Sequence, residues 1–268
     1  MSRSRANKKK RDDLYGILLI TFAIMVFVAG FFFFIDVSKN QVLRDEKDNC
    51  RIDGFIAKES VLLVDTTDSV NPTQYQAIKN KLELILDNSI VDERVTVYTI
   101  TEDPTKISPL IVTCNPGDGA DRSEWTSNKR RLKLNWDKKF KEKLESAVTG
   151  ILEAELTKQS PILDAIKAVG VYSFSSSKAE FKQLVIVSDL LHHTAELSHY
   201  RQPKLTYSSV ENSPYMGSVL ANLNGAEIEI LYLTRQKDYI RQGRTHLLFW
   251  EKYFEKSNAV VIKISNVN

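Results

Sequence analysis

From Leu14 to Ile35 the sequence runs through 22 residues without a charge, LYGILLITFAIMVFVAGFFFFI. As a helix rising 1.5 Å per residue this run is about 33 Å long, enough to cross a hydrocarbon core of about 30 Å. It is apolar on every face, unlike a soluble surface helix, which carries one apolar stripe. It is longer than a secretory h-region, and no small-x-small cleavage site follows FFFFID. The run therefore reads as a transmembrane helix, with residues 1–13 as a tail before it.

That tail holds six basic residues (Arg3, Arg5, Lys8, Lys9, Lys10, Arg11) against Asp12 and Asp13. The stretch after the span is of mixed sign. The positive-inside rule then expects a cytoplasmic N-terminus in an inner (plasma) membrane and residues 36–268 on the other side, periplasmic or extracellular. Beyond the tail, 31 basic residues face 32 acidic ones. The net charge of +3 is thus a property of the tail, and a nucleic-acid-binding surface is not expected. With 43% hydrophobic and 26% charged residues, wholesale disorder, a collagen-like chain and a polytopic membrane protein are excluded.

Residues 36–59 are polar and read as a linker. Residues 60–268 alternate short apolar runs with amphipathic stretches. Strands are expected at 61–64 (VLLV), 94–100, 109–113, 183–188 (QLVIVS), 227–233 and 259–264. Asn71, Pro72 and Gln74 form a helix-start signature, followed by Tyr75, Ile78, Leu82 and Ile85 at helical spacing. Further helices are expected at 134–156, from Ser160-Pro161 to about Phe174, at 213–224 and at 246–256. The expected fold is α/β: a doubly wound, mostly parallel sheet with helices on both faces.

The most informative stretch is Val64-Asp65-Thr66-Thr67-Asp68-Ser69. A buried strand ends in Asp-x-Thr-x-Ser, and open α/β sheets bind ligands beyond the carboxyl ends of their strands. One carboxylate and two hydroxyls there can hold a hard cation such as Mg²⁺, or can merely cap the turn. Ser160 opens a later helix and Asp189 ends the apolar strand at 183–188, both at the same edge.

Together these positions resemble the metal-ion-dependent adhesion site (MIDAS) of the von Willebrand factor type A (vWA) domain. That pattern is Asp-x-Ser-x-Ser after the first strand, a Thr in a later loop and an Asp after the fourth strand. The resemblance implies metal ligation by Asp65, Thr67, Ser69, Ser160 and Asp189, with Thr67 and Ser160 departing from the pattern but keeping the hydroxyl. It implies a binding module, not an enzyme: Mg²⁺, or Mn²⁺ or Ca²⁺, bridging to an acidic residue of a protein partner in an envelope-associated assembly.

Two insertions break the pattern. Residues 114–133 contain Gly117-Asp118-Gly119, Trp125 and Arg130-Arg131, and read as a turn-rich loop. Residues 190–214 follow Asp189 and contain His192, His193 and His199, read as solvated loop histidines or part of a rim around the site. Two other functions stay open: a metal-dependent hydrolase using Asp189 and the nearby histidines, and a structural scaffold with an empty site. Arg235 and the stretch 244–250 (RTHLLFW) read as core plus a basic helix start. In a vWA sheet the third strand is antiparallel. Its end at Cys114 then falls near Cys50, just before the first strand, and a Cys50–Cys114 disulfide is expected in an oxidising compartment.

Overall fold

The computed structural model describes residues 2–39, 42–122, 127–152 and 158–268. The chain divides into two units, Met1–Leu43 and Arg44–Asn268. The first is a single helix, α1 (Ser2–Lys39). Its window Tyr15–Ile35 is long and apolar enough to cross a membrane, and none of that window is buried within the protein.

The second unit is a six-stranded α/β fold. Its strands are β1 (Lys58–Val64), β2 (Glu93–Thr99), β3 (Pro109–Cys114), β4 (Phe181–Ser188), β5 (Ala226–Leu233) and β6 (Ala259–Val267), in the order β3-β2-β1-β4-β5-β6. All neighbours are parallel except β2 and β3, the antiparallel pair at one edge. This is the doubly wound, mostly parallel sheet that the alternation of apolar runs and amphipathic stretches predicts.

Seven helices complete the chain: α1 and, in the second unit, α2 (Pro72–Asp87), α3 (Lys129–Trp136), α4 (Glu142–Leu152), α5 (Ile162–Val169), α6 (Pro214–Val219) and α7 (Arg244–Lys256), counted among the described residues. Successive strand side chains point to opposite faces, so β1 feeds two cores. Val61 and Leu63 pack with Ile162, Ile166, Met216, Phe249, Trp250 and Phe254 from α5, α6 and α7. Leu62 and Val64 pack with Ile78, Leu82 and Leu86 of α2 and with Leu144, Val148 and Ile151 of α4. Burial on both faces is why VLLV shows no polar alternation.

Several boundaries differ from expectation. The helix predicted at 134–156 starts earlier, at Lys129, because Asn128 caps it by accepting from the Arg131 N–H. A π-helical turn, Asp137–Lys141, separates α3 from α4 and buries Phe140; residues 153–157 lie outside the described residues, as does Trp125. The helix predicted at 213–224 stops at Val219. Beyond it, the Leu223 N–H donates to the Ser257 carbonyl, a bond that draws the segment to the α7–β6 turn.

Residues 44–57 fold against the sheet. Asp92, at φ 65°, receives Arg44 at 2.5 Å and Arg51 at 3.4 Å. Cys50 and Cys114 form a disulfide with their Cα atoms 4.8 Å apart. The backbone also joins there, with the Cys114 N–H donating to the Asp48 carbonyl at 2.8 Å. The stapled segment thus meets β3 at its C-terminal end, where antiparallel pairing delivers it.

Candidate functional site

The strand order reverses at β1. The chain winds from β1 to β2 and β3 on one side, then places β4 on the other. A crevice opens beyond the carboxyl ends of strands at such a switch point, because the connections leave in opposite directions. Asp65 directly follows β1 and Asp189 directly follows β4. The Asp65 N–H donates to the Val187 carbonyl at 2.8 Å, which extends the β1–β4 ladder into the site.

The Asp65 carboxylate is a collecting point. Its Oδ1 accepts from the Thr67 N–H at 3.1 Å and the Thr67 hydroxyl at 2.8 Å. Its Oδ2 accepts from the Ser188 hydroxyl at 2.7 Å and the Ser160 hydroxyl at 3.3 Å. Two distant segments and the loop's own Thr67 therefore converge on one side chain that is 5% exposed. Ser160 is not the helix cap: α5 is preceded by Pro161, and no side chain caps it. Ser160 is instead held by a two-way backbone bridge to His193, at 3.0 and 2.9 Å, which turns its hydroxyl over to Asp65.

Asp189 is equally buried. Its Oδ1 accepts from the Leu191 N–H at 2.9 Å, across Leu190, which takes the left-handed conformation at φ 58°. Its Oδ2 accepts from Arg235 Nε at 3.0 Å. Burial, then the charge of Asp65, push the Asp189 carboxyl up to about 7; the Leu191 N–H and Arg235 oppose that shift.

Ser69, the fifth expected ligand, is exposed, and its carbonyl accepts from Arg235 Nη1 at 2.8 Å. The structure thus joins Asp65, Thr67 and Ser160 directly, and sets Asp189 beside them through Ser188. Ser69 is tied in through its backbone.

Arg235 corrects the reading of that residue as core and helix start. It follows β5 at the same sheet edge and bonds to both loops of the site. Gln242 holds it there: its Oε1 accepts from the Arg235 N–H at 2.8 Å, and its Nε2 donates to the Asp189 and Leu233 carbonyls. Ser188, Arg235 and Gln242 were not among the expected site residues. Ser188 and Arg235 carry one legible signal, a polar or charged side chain where an apolar strand ends.

The histidines also differ from expectation. His192 and His199 are buried rather than solvated, and His246, in the stretch read as core plus helix start, is buried beside them. His192 Nδ1 accepts from the Leu163 N–H at 3.4 Å, and its Nε2 lies 3.1 Å from the Tyr215 hydroxyl. His246 bonds to the Tyr232 hydroxyl and the Leu190 carbonyl. Burial pulls His192 down to about 3 and His246 to about 4, so both rings are neutral. Among the described residues no group of three or more His, Cys, Asp or Glu side chains is placed to hold a metal.

A hydroxyl-rich site needs fewer carboxylates. The side chains gathered here, two carboxylates and the hydroxyls of Thr67, Ser160 and Ser188, are all oxygen donors, the class that suits Mg²⁺, Mn²⁺ or Ca²⁺. The buried pair Asp65 and Asp189 bears two negative charges when ionised, and Arg235 supplies one positive charge against them. Donor chemistry and residual charge both fit a hard cation.

No family model matches the chain, and no curated protein does. Among solved structures it is similar to an aerotolerance-related membrane protein from Bacteroides fragilis with multiple mutations to serines, 12% identical over 78% of this chain and 92% of that one, with a TM-score of 0.38. It is also similar to the conserved hypothetical protein BatB from Bacteroides thetaiotaomicron, 13% identical over 78% of this chain and 91% of that one, with a TM-score of 0.39.

Proposed function

We propose that this chain is a single-pass membrane-anchored recognition module, and that its β1–β4 edge binds a protein partner through a divalent cation. The observation that carries the reading is the convergence of the Thr67, Ser160 and Ser188 hydroxyls on Asp65, beside a second buried carboxylate. Each hydroxyl gives its proton to Asp65; those of Thr67 and Ser160 keep their lone pairs for another electrophile, while Ser188 also accepts the Leu190 N–H. A bound Mg²⁺ supplies Lewis acidity and positive charge for an acidic side chain of the partner.

The protein's own part is positional. Asp65 orders the three hydroxyls, the Ser160–His193 bridge fixes the loop before α5, and the Leu191 N–H orients Asp189. The apolar helix serves as the anchor, and the basic tail favours a cytoplasmic N-terminus with the domain periplasmic or extracellular. A disulfide between Cys50 and Cys114 agrees with an oxidising compartment.

The test is affinity capture from solubilised membranes by the full chain in detergent, with Mg²⁺ or with EDTA. The expected result is a partner retained with Mg²⁺, lost with EDTA and lost in Asp65→Asn, a near-isosteric change that keeps the site filled. Equal capture by folded Asp65→Asn with chelator present would reject the metal bridge and leave a structural scaffold in its place.

A further inference from the structure

We propose that Arg235 is a tethered cation that competes with the divalent ion for Asp189, so that metal loading requires its guanidinium to leave that carboxylate. The proposal rests on the metal-binding reading above and assigns to one residue the setting of metal affinity.

The geometry is that of a built seat. Arg235 Nε donates to Asp189 Oδ2 at 3.0 Å and Nη1 to the Ser69 carbonyl at 2.8 Å, so one guanidinium spans the loops after β1 and β4. Gln242 brackets both ends of the contact, bonding to the Arg235 N–H and to the Asp189 carbonyl. The side chain is only 12% exposed. A guanidinium and a divalent cation answer the same need, positive charge against a buried carboxylate, and both cannot satisfy the same oxygen at full strength.

The arrangement also contains a second place for the guanidinium. Asp68, more exposed than Asp189, lies 3.7 Å from Arg235 Nε, and Lys237 approaches it at 3.5 Å. A small shift of the side chain exchanges a buried carboxylate for a half-buried one and keeps the ion pair. The apparent metal affinity is then the intrinsic affinity multiplied by the fraction of molecules in which Asp189 is free.

The experiment titrates Mn²⁺ into the full chain in detergent, following free Mn²⁺ by its electron paramagnetic resonance, with Mg²⁺ as competitor. The unmodified chain is compared with Arg235→Gln and Arg235→Lys. Arg235→Gln is expected to bind roughly tenfold tighter, the scale of one charge-assisted hydrogen bond. Arg235→Lys, which keeps the charge but loses the fork, is expected between the two. If Arg235→Gln fails to fold, the Lys variant alone decides the comparison.

The melting temperature gives an independent readout. In EDTA, Arg235→Gln leaves Asp189 without its cation and should melt lower than the unmodified chain, with Mg²⁺ restoring the loss. Equal Mn²⁺ affinity in all three chains overturns the competition while leaving the metal site standing. No Mn²⁺ binding at millimolar concentration in any chain overturns both, and leaves Arg235 as the cation paired with Asp189.

Discussion

The hydroxyl of Ser160 donates to Asp65 Oδ2 at 3.3 Å, across 95 residues of chain. The same oxygen accepts from Ser188 at 2.7 Å, and the two serines are not equivalent. Ser188 also accepts the Leu190 N–H at 2.8 Å, so its removal orphans a buried backbone donor at a left-handed residue. Ser188→Ala is therefore expected to cost about 2 kcal/mol of stability, and Ser160→Ala about 1 kcal/mol or less. Urea unfolding of both variants checks the order. Equal losses would mean that Asp65 does not distinguish its donors.

Acid should destabilise the domain through its buried histidines. His192 titrates near 3 and His246 near 4 in the folded protein, against 6.5 when unfolded, because burial penalises the charged ring. His199 is held well below its ordinary value for the same reason. A base with a depressed folded pKa contributes stability that is complete above pH 6.5 and is lost as pH falls toward the folded value. The slope is about 1.4 kcal/mol per pH unit for each histidine involved. Urea midpoints at pH 7.5, 6 and 5 measure it.

His199 offers a sharper form of that test. Neither of its ring nitrogens has a hydrogen-bond partner among the described residues, and the ring meets Phe249 edge-on with centroids 4.9 Å apart. His199→Phe replaces an unsatisfied polar ring with an apolar one of similar shape. It should be neutral or stabilising at pH 7.5 and should reduce the loss at pH 5. A variant less stable than the parent at both values would show that the ring nitrogens have partners.

The residues that were legible in the sequence share one property: their role follows from local pattern. Leu62 and Leu63 sit on opposite faces of β1, each against its own core, so the strand had to read as an unbroken apolar run. Asp65 and Asp189 stood out because a carboxylate ended such a run. Arg235 also follows a strand, but nothing local says that its partner is Asp189, 46 residues earlier. The burial of His192 and His199 is illegible for the same reason. The burial of His199 depends on Phe249 and Trp250 of α7, which its own polar loop does not announce.

The Cys50–Cys114 bridge closes a 64-residue separation, for which the chain-entropy account gives roughly 4 kcal/mol. Replacing both cysteines by serine should lower stability by about that amount. The sheet should survive, since no strand bond depends on the sulfurs. Residues 44–57 should then loosen, because they are left to hydrogen bonds such as Cys114–Asp48 and Thr113–Asp48 and to the arginine pairs at Asp92, with no covalent link. Hydrogen exchange reads the loosening. Unchanged protection and unchanged stability after full reduction would mean that the bridge contributes nothing.

The loop after β5 is where the site meets its surroundings. Tyr239 and Ile240 are 72% and 63% exposed, an apolar pair that the core does not use. Tyr239 lines a groove of about 910 Å³ with Ser69, Asn71, Lys237 and the two residues bonded to Asp189, Arg235 and Gln242. Exposed aromatics beside a polar centre are the usual anchors of a recognition surface. Alanine at both positions should change stability by no more than about 0.5 kcal/mol, since little packing is removed. It should weaken capture of the partner by roughly tenfold, the loss of one anchor contact. The comparison is quantitative capture at fixed Mg²⁺, with urea unfolding as the control. Full capture by the stable double variant would move the recognition surface away from this loop, toward the 190–214 insertion on the other side of Asp189.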